Sequence, residues 1–233
     1  MELIGIIGAM DQEVRQLADE IVEKTIVKKA GMEFIKGELC GKQVVVVVCG
    51  IGKVNAGMCT QILADTFGVD CVINTGVAGS LRNEINIGDV VVSTDALQHD
   101  MDVTPLGYAS GQIPGVDTLA FKADESLVEL AMEVCAEENT DIHVFRGRVA
   151  SGDQFISSQE TKDRIIANFD ASCAEMEGAA IAQAAYLNDI PFVILRAISD
   201  KADGSAHMDH GSFEQMAIVH SLKLLHGMLR KMS

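Results

Sequence analysis

Basic residues are scarce in this chain of 233 residues, in which 18 lysines and arginines stand against 34 aspartates and glutamates and give a net charge of −16. A surface this negative repels nucleic acid and anionic membranes, so we expect neither as a partner. There is also no apolar stretch near the roughly 20 residues of a membrane span, and no basic leader of a signal peptide. The sequence therefore predicts a cytoplasmic protein.

Several site motifs are missing too. The six cysteines form no Cys-x-x-Cys pair, which favours buried thiols in a reducing compartment. No Gly-x-Ser-x-Gly elbow exists, and no cysteine has an obvious histidine partner, so covalent catalysis has no support. His207 and His210 lie near Asp203 and Asp209, but no second cluster completes a tetrahedral set. We interpret that segment as a solvated loop and expect no metal and no cofactor.

What is present is globular composition, with 48% hydrophobic and 22% charged residues. Apolar strand-like runs alternate with helical patterns over 1–233, without a repeat or linker. This order predicts one α/β domain with three α/β/α layers around a mixed, mostly buried sheet. Consecutive valines at 44–48 predict a strand that is buried on both faces.

The patterns predict strands at 3–7, 25–30, 33–40, 43–49, 70–74, 89–96, 143–151, 173–176 and 192–198. They predict helices at 10–23, 54–67, 124–138 and 178–187. Two capping boxes, Ser157-x-x-Glu160 and Ser212-x-x-Gln215, predict the starts of two more helices. The segment 99–121 has no period, and a loop of that length is usually functional or held by something else.

Three carboxylates follow apolar runs that we interpret as strands: Glu13, Glu177 and Asp200. Ligands of α/β proteins bind at the carboxyl ends of strands, so these groups can converge. Carboxylates with few basic residues nearby favour acid/base chemistry on an uncharged or cationic species, such as cleavage of a glycosidic bond through a positively charged transition state. Such a site does not suit phosphate.

Glu13 and Asp200 each have a plainer explanation, whereas Glu177 is better explained by a function. Taken alone, Glu13 is slightly better explained as a first-turn carboxylate that interacts with a helix dipole, and Asp200 as a cap. Glu177 interrupts an apolar junction, where burial of a carboxylate demands a partner or a purpose. Arg196 could be an ion-pair partner of one of the three, and Phe155 either a core residue or an aromatic face for a base ring.

Two glycine loops decide nothing alone. The loop 50–53 has the wrong spacing for a Walker motif, and Asn55 stands where a dinucleotide fingerprint needs its third glycine. A tight strand-to-helix turn explains it better. For 75–79, tight packing is the safer interpretation, and backbone amides near a ligand are the alternative.

Taken together, however, the motifs resemble those of the 5′-methylthioadenosine/S-adenosylhomocysteine nucleosidases of the nucleoside phosphorylase superfamily. They run in order from residue 4 to beyond 200, and their joint order and spacing are specific. The matching stretches are 4–10 through Glu13, 50–54, 73–76, Ser151-Gly152-Asp153, Glu175-Met176-Glu177 and Arg196-Ala197-Ile198-Ser199-Asp200.

The resemblance implies hydrolysis of an N-glycosidic bond with release of adenine, in methionine salvage and the recycling of S-adenosylmethionine by-products. By position, Asp200 is the general acid for N7 of adenine, oriented by Ser199, and Glu13 positions and activates water. Glu177 binds the ribose hydroxyls and, with Met176, stabilises the cationic centre.

The resemblance also implies roles in binding. Phe155 stacks on adenine, the backbone of Ile156 contacts the base edge, and Phe213 covers the sugar. It further implies a homodimer in which the 99–121 loop completes the neighbour's site. The loop residues expected to reach across are Val103, Leu106 and Pro114, and Ile51, Ala78, Gly79 and Arg196 are further expected substrate-site residues.

Three features depart from the family pattern. Leu106 stands where an aromatic residue is common in the family, Val77 stands where the family pattern predicts a serine, and the loop 203–211 is longer than that pattern predicts. The alternatives are a purine nucleoside phosphorylase, which needs an arginine cluster that 50–52 and 75–80 lack, and a non-catalytic nucleoside-binding protein. The sequence does not rank methylthioadenosine, S-adenosylhomocysteine, 5′-deoxyadenosine and deoxyfutalosine-type nucleosides as substrates.

Overall fold

The structure, a computed structural model, describes residues 2–203 and 206–232, except for the side chains of 206–212, 214 and 215. The strands are β1 (Leu3–Gly8), β2 (Val22–Lys29), β3 (Met32–Leu39), β4 (Lys42–Val48), β5 (Cys71–Ser80), β6 (Val90–Gln98), β7 (Phe121–Lys122), β8 (Val144–Ser151), β9 (Cys173–Glu175) and β10 (Phe192–Asp200). The helices are α1 (Asp11–Glu20), α2 (Lys53–Ile62), α3 (Glu125–Glu138), α4 (Gln159–Phe169), α5 (Gly178–Leu187) and α6 (Ala206–Lys231).

These strands form one mixed sheet in the order β10-β6-β8-β9-β5-β1-β4-β3-β2, with β7 beside β6. A long parallel pairing of β5 with β10 joins the two ends of the first five strands, which therefore close into a ring. The remaining strands continue from β5 through the parallel pairs with β1 and β4 and end in the antiparallel β4-β3-β2 meander.

Helices cover both faces of this sheet. The valine strand shows this directly: Val45 and Val47 pack in the core formed with α2 and α5, whereas Val44 and Val46 pack in the core formed with α1, α3 and α6. All four are at most 1% exposed, since successive side chains of a strand point to opposite faces. The predicted α/β/α fold with a mixed central sheet is confirmed.

Several predicted boundaries are wrong. Helix α1 ends at Glu20 rather than at residue 23, because Ile21 leaves the helical conformation (ψ 132°) and the chain enters β2. Strand β5 does not end near residue 74 but runs through the glycines to Ser80. Its partners cause this, since β10 pairs with it as far as Gly79 and β9 pairs with its last two residues.

Both predicted capping boxes are also misplaced. Ser158, not Ser157, caps α4, and its hydroxyl accepts the Thr161 amide at 3.2 Å. Helix α6 begins at Ala206, so the predicted box at 212–215 lies within it and most of the predicted 203–211 loop is helical. The side chains of His207 and His210 lie outside the described residues. In the described part of the chain, no helix is long and apolar enough to cross a bilayer.

Candidate active site

One cleft lies at the carboxyl ends of β5, β9 and β10, beside the start of α1. Its volume, counted out to the solvent at its mouth, is about 570 Å³. The residues that line it are Ala9, Met10, Glu13, Ile51, Val77, Ala78, Gly79, Phe155, Ala174, Glu175, Met176, Glu177, Ser199 and Asp200. The three carboxylates selected from the sequence therefore lie in the wall of a single cleft, together with a fourth.

Glu13 lies in the first turn of α1 and is 4% exposed. Its Oε2 accepts the amides of Ala9 at 2.7 Å and Met10 at 2.9 Å, and its Oε1 accepts the amide of Val77 at 3.2 Å. Burial raises the pKa of Glu13 above its ordinary value, although the Arg196 guanidinium opposes that shift. The side chain thus caps α1 and also faces the cleft, so both interpretations of Glu13 describe real contacts.

Gly76 lets two charged groups meet behind the cleft. A Cβ at this position would overlap Arg196 Nη1 and would lie 2.8 Å from Glu13 Oε1. Glu13 and Arg196 therefore approach each other across bare backbone of β5. Glycine is required here for space, rather than for a turn.

Arg196 and Glu175 form an ion pair beneath the cleft, and both side chains are 2% exposed. Arg196 also donates to Asn74 Oδ1 at 2.6 Å, while Glu175 accepts the Ser151 hydroxyl and, at 2.8 Å, the Gly178 amide. Burial alone would raise the pKa of Glu175, but the Arg196 guanidinium and these hydrogen bonds hold it below its ordinary value. Arg196 does not line the cleft, and its contacts are those of an ion-pair partner.

Sequence reasoning missed Glu175. The available signal was its position in Glu175-Met176-Glu177, two residues before a residue that was selected. Glu175 ends β9, and it is a buried carboxylate with a dedicated cation, which is the usual condition for burying a charge.

Glu177 stands immediately before α5 and accepts the Gly52 amide at 2.8 Å. Burial first, and then repulsion from Glu175, raises the pKa of Glu177 to about 7. Because Glu175 is ionised, protonation of Glu177 reduces the electrostatic repulsion between the two side chains. A cation placed in the cleft would favour its ionised form.

Asp200 ends β10 at an irregularity in the strand. The register with β5 shifts between Ile198 and Asp200, so Ser199 has no regular partner. A bulge of this kind re-aims side chains, and here it leaves both residues buried in the cleft wall. The Ser199 hydroxyl donates to Asp200 Oδ2 at 2.9 Å, and the Ala202 amide donates to Oδ1 at 2.8 Å.

Comparisons with known proteins show the family of the chain. The sequence profile of the phosphorylase superfamily matches residues 3–230. A 5′-methylthioadenosine/S-adenosylhomocysteine nucleosidase of Bacillus cytotoxicus is 43% identical over 230 residues, which cover 98% of this chain and 99% of that protein. The chain belongs to this nucleosidase family. The family resemblance and the prediction of an N-glycosidic hydrolase are therefore confirmed.

Solved structures share the fold over the whole length of the nucleosidase chain. The Neisseria meningitidis 5′-methylthioadenosine/S-adenosylhomocysteine nucleosidase, in complex with methylthio-immucillin-A, is 38% identical with a TM-score of 0.95 and full coverage of both chains. A futalosine hydrolase mutant of Helicobacter pylori is 35% identical with a TM-score of 0.94, again with full coverage of both chains. Overall likeness alone thus does not rank the nucleosides that this nucleosidase accepts.

The other residues selected from the sequence divide into two groups. Ile51, Ala78, Gly79, Phe155 and Met176 line the cleft. Phe155 is 43% exposed and forms an open edge, from which a smaller cavity of about 240 Å³ reaches the buried Ile156.

The second group lies elsewhere on the nucleosidase. Phe213 is on α6 and is more than one-third exposed. Val103 is half-buried, whereas Leu106 and Pro114 are exposed on the 99–121 segment. None of these loop residues lines this chain's own cleft in its described part. Their predicted role in a neighbour's site stays a prediction.

Chemically, the cleft suits a positive charge. Among the described residues that line it, four are carboxylates and none is basic. Carboxyl groups in a partly dry cleft stabilise a developing cation more than a neutral ground state, because the cation favours their ionised forms. In the described part of the chain, no group of three or more histidine, cysteine, aspartate or glutamate side chains is arranged to hold a metal ion.

Proposed function

We propose that this nucleosidase hydrolyses 5′-methylthioadenosine and S-adenosylhomocysteine, and also 5′-deoxyadenosine, to adenine and the corresponding ribose product. The observation that carries the proposal is the convergence of Glu13, Glu177 and Asp200 on one cleft without a basic side chain among its described lining residues. The names of the relatives support the same substrates. This activity belongs to methionine salvage and to the recycling of S-adenosylmethionine by-products.

Asp200 acts on the leaving base. Adenine leaves poorly as an anion, so a proton must reach N7 while the bond between N9 and C1′ breaks and its electron pair moves to the base. Asp200 borders both the main cleft and the smaller cavity next to Phe155 and Ile156, and we assign this end of the cleft to the base. Ser199 supports the carboxyl from one side. General-acid help of this kind is worth about 10²–10⁴ in rate.

Glu13 and Glu177 act on the water and the sugar. Glu13 is held by three backbone amides and receives a proton from the water that attacks C1′. Glu177 binds the ribose hydroxyls, and Met176 beside it faces the cationic sugar. Because Glu177 has a pKa of about 7, the approach of positive charge draws it toward the carboxylate form. That response stabilises the transition state more than the substrate.

A phosphorylase reaction is the competing interpretation, and it needs cations for phosphate. Arg196 is engaged with Glu175 and Asn74 beneath the cleft. Arg82 pairs with Asp170 elsewhere. The test is adenine release from methylthioadenosine with and without phosphate. We expect adenine release that does not depend on phosphate, with a free ribose product. Stimulation of adenine release by phosphate, with ribose 1-phosphate products, would contradict the hydrolase proposal. Binding without any adenine release would instead favour a nucleoside-binding protein.

A nucleoside of the futalosine type is the second candidate substrate, because a futalosine hydrolase shares the fold at full length. A competition assay with methylthioadenosine, S-adenosylhomocysteine, 5′-deoxyadenosine and a deoxyfutalosine-type nucleoside decides the ranking. We expect the two thionucleosides to have the highest kcat/KM. A preference of tenfold or more for the futalosine-type nucleoside would overturn that ranking.

We further propose a cytoplasmic homodimer. Exposed apolar side chains on α2, α5 and the 99–121 loop support it: Val54 is 72% exposed, Leu187 63% and Leu106 74%. Val54 and Leu187 line the same surface depression, and exposed apolar surface of this kind marks protein interfaces. Ile51 is 55% exposed and also lines the cleft, so a partner on this face would adjoin the site. The six free cysteines, five of them buried, suit a reducing compartment.

A further inference from the structure

Lys53 is the basic residue of the 50–53 glycine loop, and the proposed hydrolysis does not use it for phosphate. Its ammonium donates to Asp100 Oδ1 at 2.6 Å and to Gln98 Oε1 at 2.9 Å. Lys53 and Asp100 are only 17% and 16% exposed, so their charges face each other inside the protein. Lys53 therefore acts on the protein itself and not on a ligand.

The backbone of the same loop reaches both sides of the cleft. The Gly52 amide donates to Glu177 Oε1 at 2.8 Å, and the Lys53 amide donates to Asp153 Oδ1 at 2.8 Å. Asp153 lies two residues before Phe155. Two consecutive amides thus connect the carboxylate on the sugar side with the loop that carries the aromatic edge.

Asp100 closes this connection from a third segment. While its Oδ1 holds the Lys53 ammonium, its Oδ2 accepts the Asp153 amide at 2.9 Å. Burial opposes ionisation, but the Lys53 ammonium and the Asp153 amide hold the pKa of Asp100 below its ordinary value. Asp100 is therefore ionised at neutral pH. It is outside the described lining of the cleft.

We propose that Asp100 is a positioning residue which, through Lys53 and Asp153, fixes the separation between Glu177 and Phe155. This inference rests on the proposed function, in which one nucleoside spans both groups. A ligand that contacts both ends depends on that separation, whereas free adenine depends only on the Phe155 end. Small misplacement of reacting groups can cost about 10²-fold in rate.

The test is Asp100→Asn, which keeps the shape but replaces one accepting oxygen by a donor. The remaining oxygen of asparagine can accept from the Lys53 ammonium or from the Asp153 amide, but the new NH₂ group accepts from neither, so one of the two contacts is lost. We expect kcat/KM for methylthioadenosine to fall by about 10–100-fold, while the Kd for adenine, measured by calorimetry, changes by less than about threefold. The matched control is Asp95→Asn, because Asp95 also pairs with a cation, Arg148, at 2.7 Å, is 18% exposed and is outside the cleft lining. It should lower thermal stability and leave kcat/KM unchanged.

A double-mutant cycle with Lys53→Met tests the connection itself. If Asp100 acts through Lys53, the kcat/KM of the double variant should be no lower than that of the less active single variant. Three results would each overturn the inference: unchanged kcat/KM in Asp100→Asn, a loss of adenine affinity equal to the loss for the nucleoside, or fully additive losses. If wild-type protein cleaves no nucleoside, the proposed function fails separately. The Kd values of methylthioadenosine and adenine, compared between wild type and Asp100→Asn, then decide the positioning role.

Discussion

Replacement of Asp200 by asparagine tests the general-acid assignment most directly. Asparagine keeps the oxygen that accepts the Ala202 amide at 2.8 Å, and its amide group takes the place of Oδ2, 2.9 Å from the Ser199 hydroxyl. That hydroxyl can rotate from donor to acceptor. The site geometry should therefore persist while the transferable proton is lost.

The expected loss in kcat for methylthioadenosine is about 10²–10⁴-fold, which is the usual worth of a general acid. The Kd for adenine should stay within a few-fold of wild type. The assay follows adenine release directly, and urea unfolding checks that the variant is folded.

A change of leaving group sharpens this test. A 5-methylthioriboside of 4-nitrophenol releases a stable anion that needs no proton. Asp200→Asn should then cleave it almost as fast as the wild type, whereas Glu13→Gln, which affects the attacking water, should be slow with both substrates. Wild-type turnover of methylthioadenosine by Asp200→Asn, or an equal loss with both leaving groups, would refute the acid role.

Three further predictions concern the supporting structure. Glu177 has a folded pKa of about 7 against an ordinary 4.5, so the folded state binds its proton more tightly and the free energy of unfolding should fall as the pH rises from about 4.5 to 7. Glu177→Gln should reduce that fall between urea unfolding at pH 5 and at pH 7.5. An unchanged difference between the two pH values would contradict the raised pKa. Gly76→Ala should cost about 1–3 kcal/mol through overpacking against Arg196 and Glu13, while the control Gly57→Ala, with nothing within 4 Å of its new Cβ, should not destabilise the protein. Val54→Glu should give a folded monomer by light scattering and little turnover in the activity assay. An active monomer would contradict the proposed role of the partner.

The sequence predicted the layered fold because its apolar runs are long and regular, as in the valines of β4. It could not predict that β5 continues to Ser80, since glycines at 75–79 are equally typical of a turn. Only pairing with β9 and β10, distant in sequence, makes that segment a strand. The start of α6 was missed for a related reason, because a glycine- and serine-containing stretch was interpreted as a loop.

The candidate site shows the same division. Glu13, Glu177 and Asp200 were found because each follows an apolar run, and the cleft indeed contains all three. Glu175 was missed because its role depends on Arg196, 21 residues away in sequence. The contact of Lys53 with Asp100 could not be predicted from the sequence either, since it joins residues 47 positions apart. Local patterns identify which residues are unusual, whereas their partners are set by the folded chain.

Strand β5 has a consequence for how this protein loses activity. The Val77 amide supports Glu13, Gly79 lies against Asp200, and β9, which leads to Glu177, pairs with the same strand end. β5 is also bonded to β1 and β10 and lies inside the sheet. The three carboxylates therefore share one central strand as part of their support, besides the amides at the start of α1 and in the 50–53 loop. Unfolding of the sheet should remove all three from the cleft together, and the amide hydrogens of β5 should exchange with solvent at the rate of global unfolding.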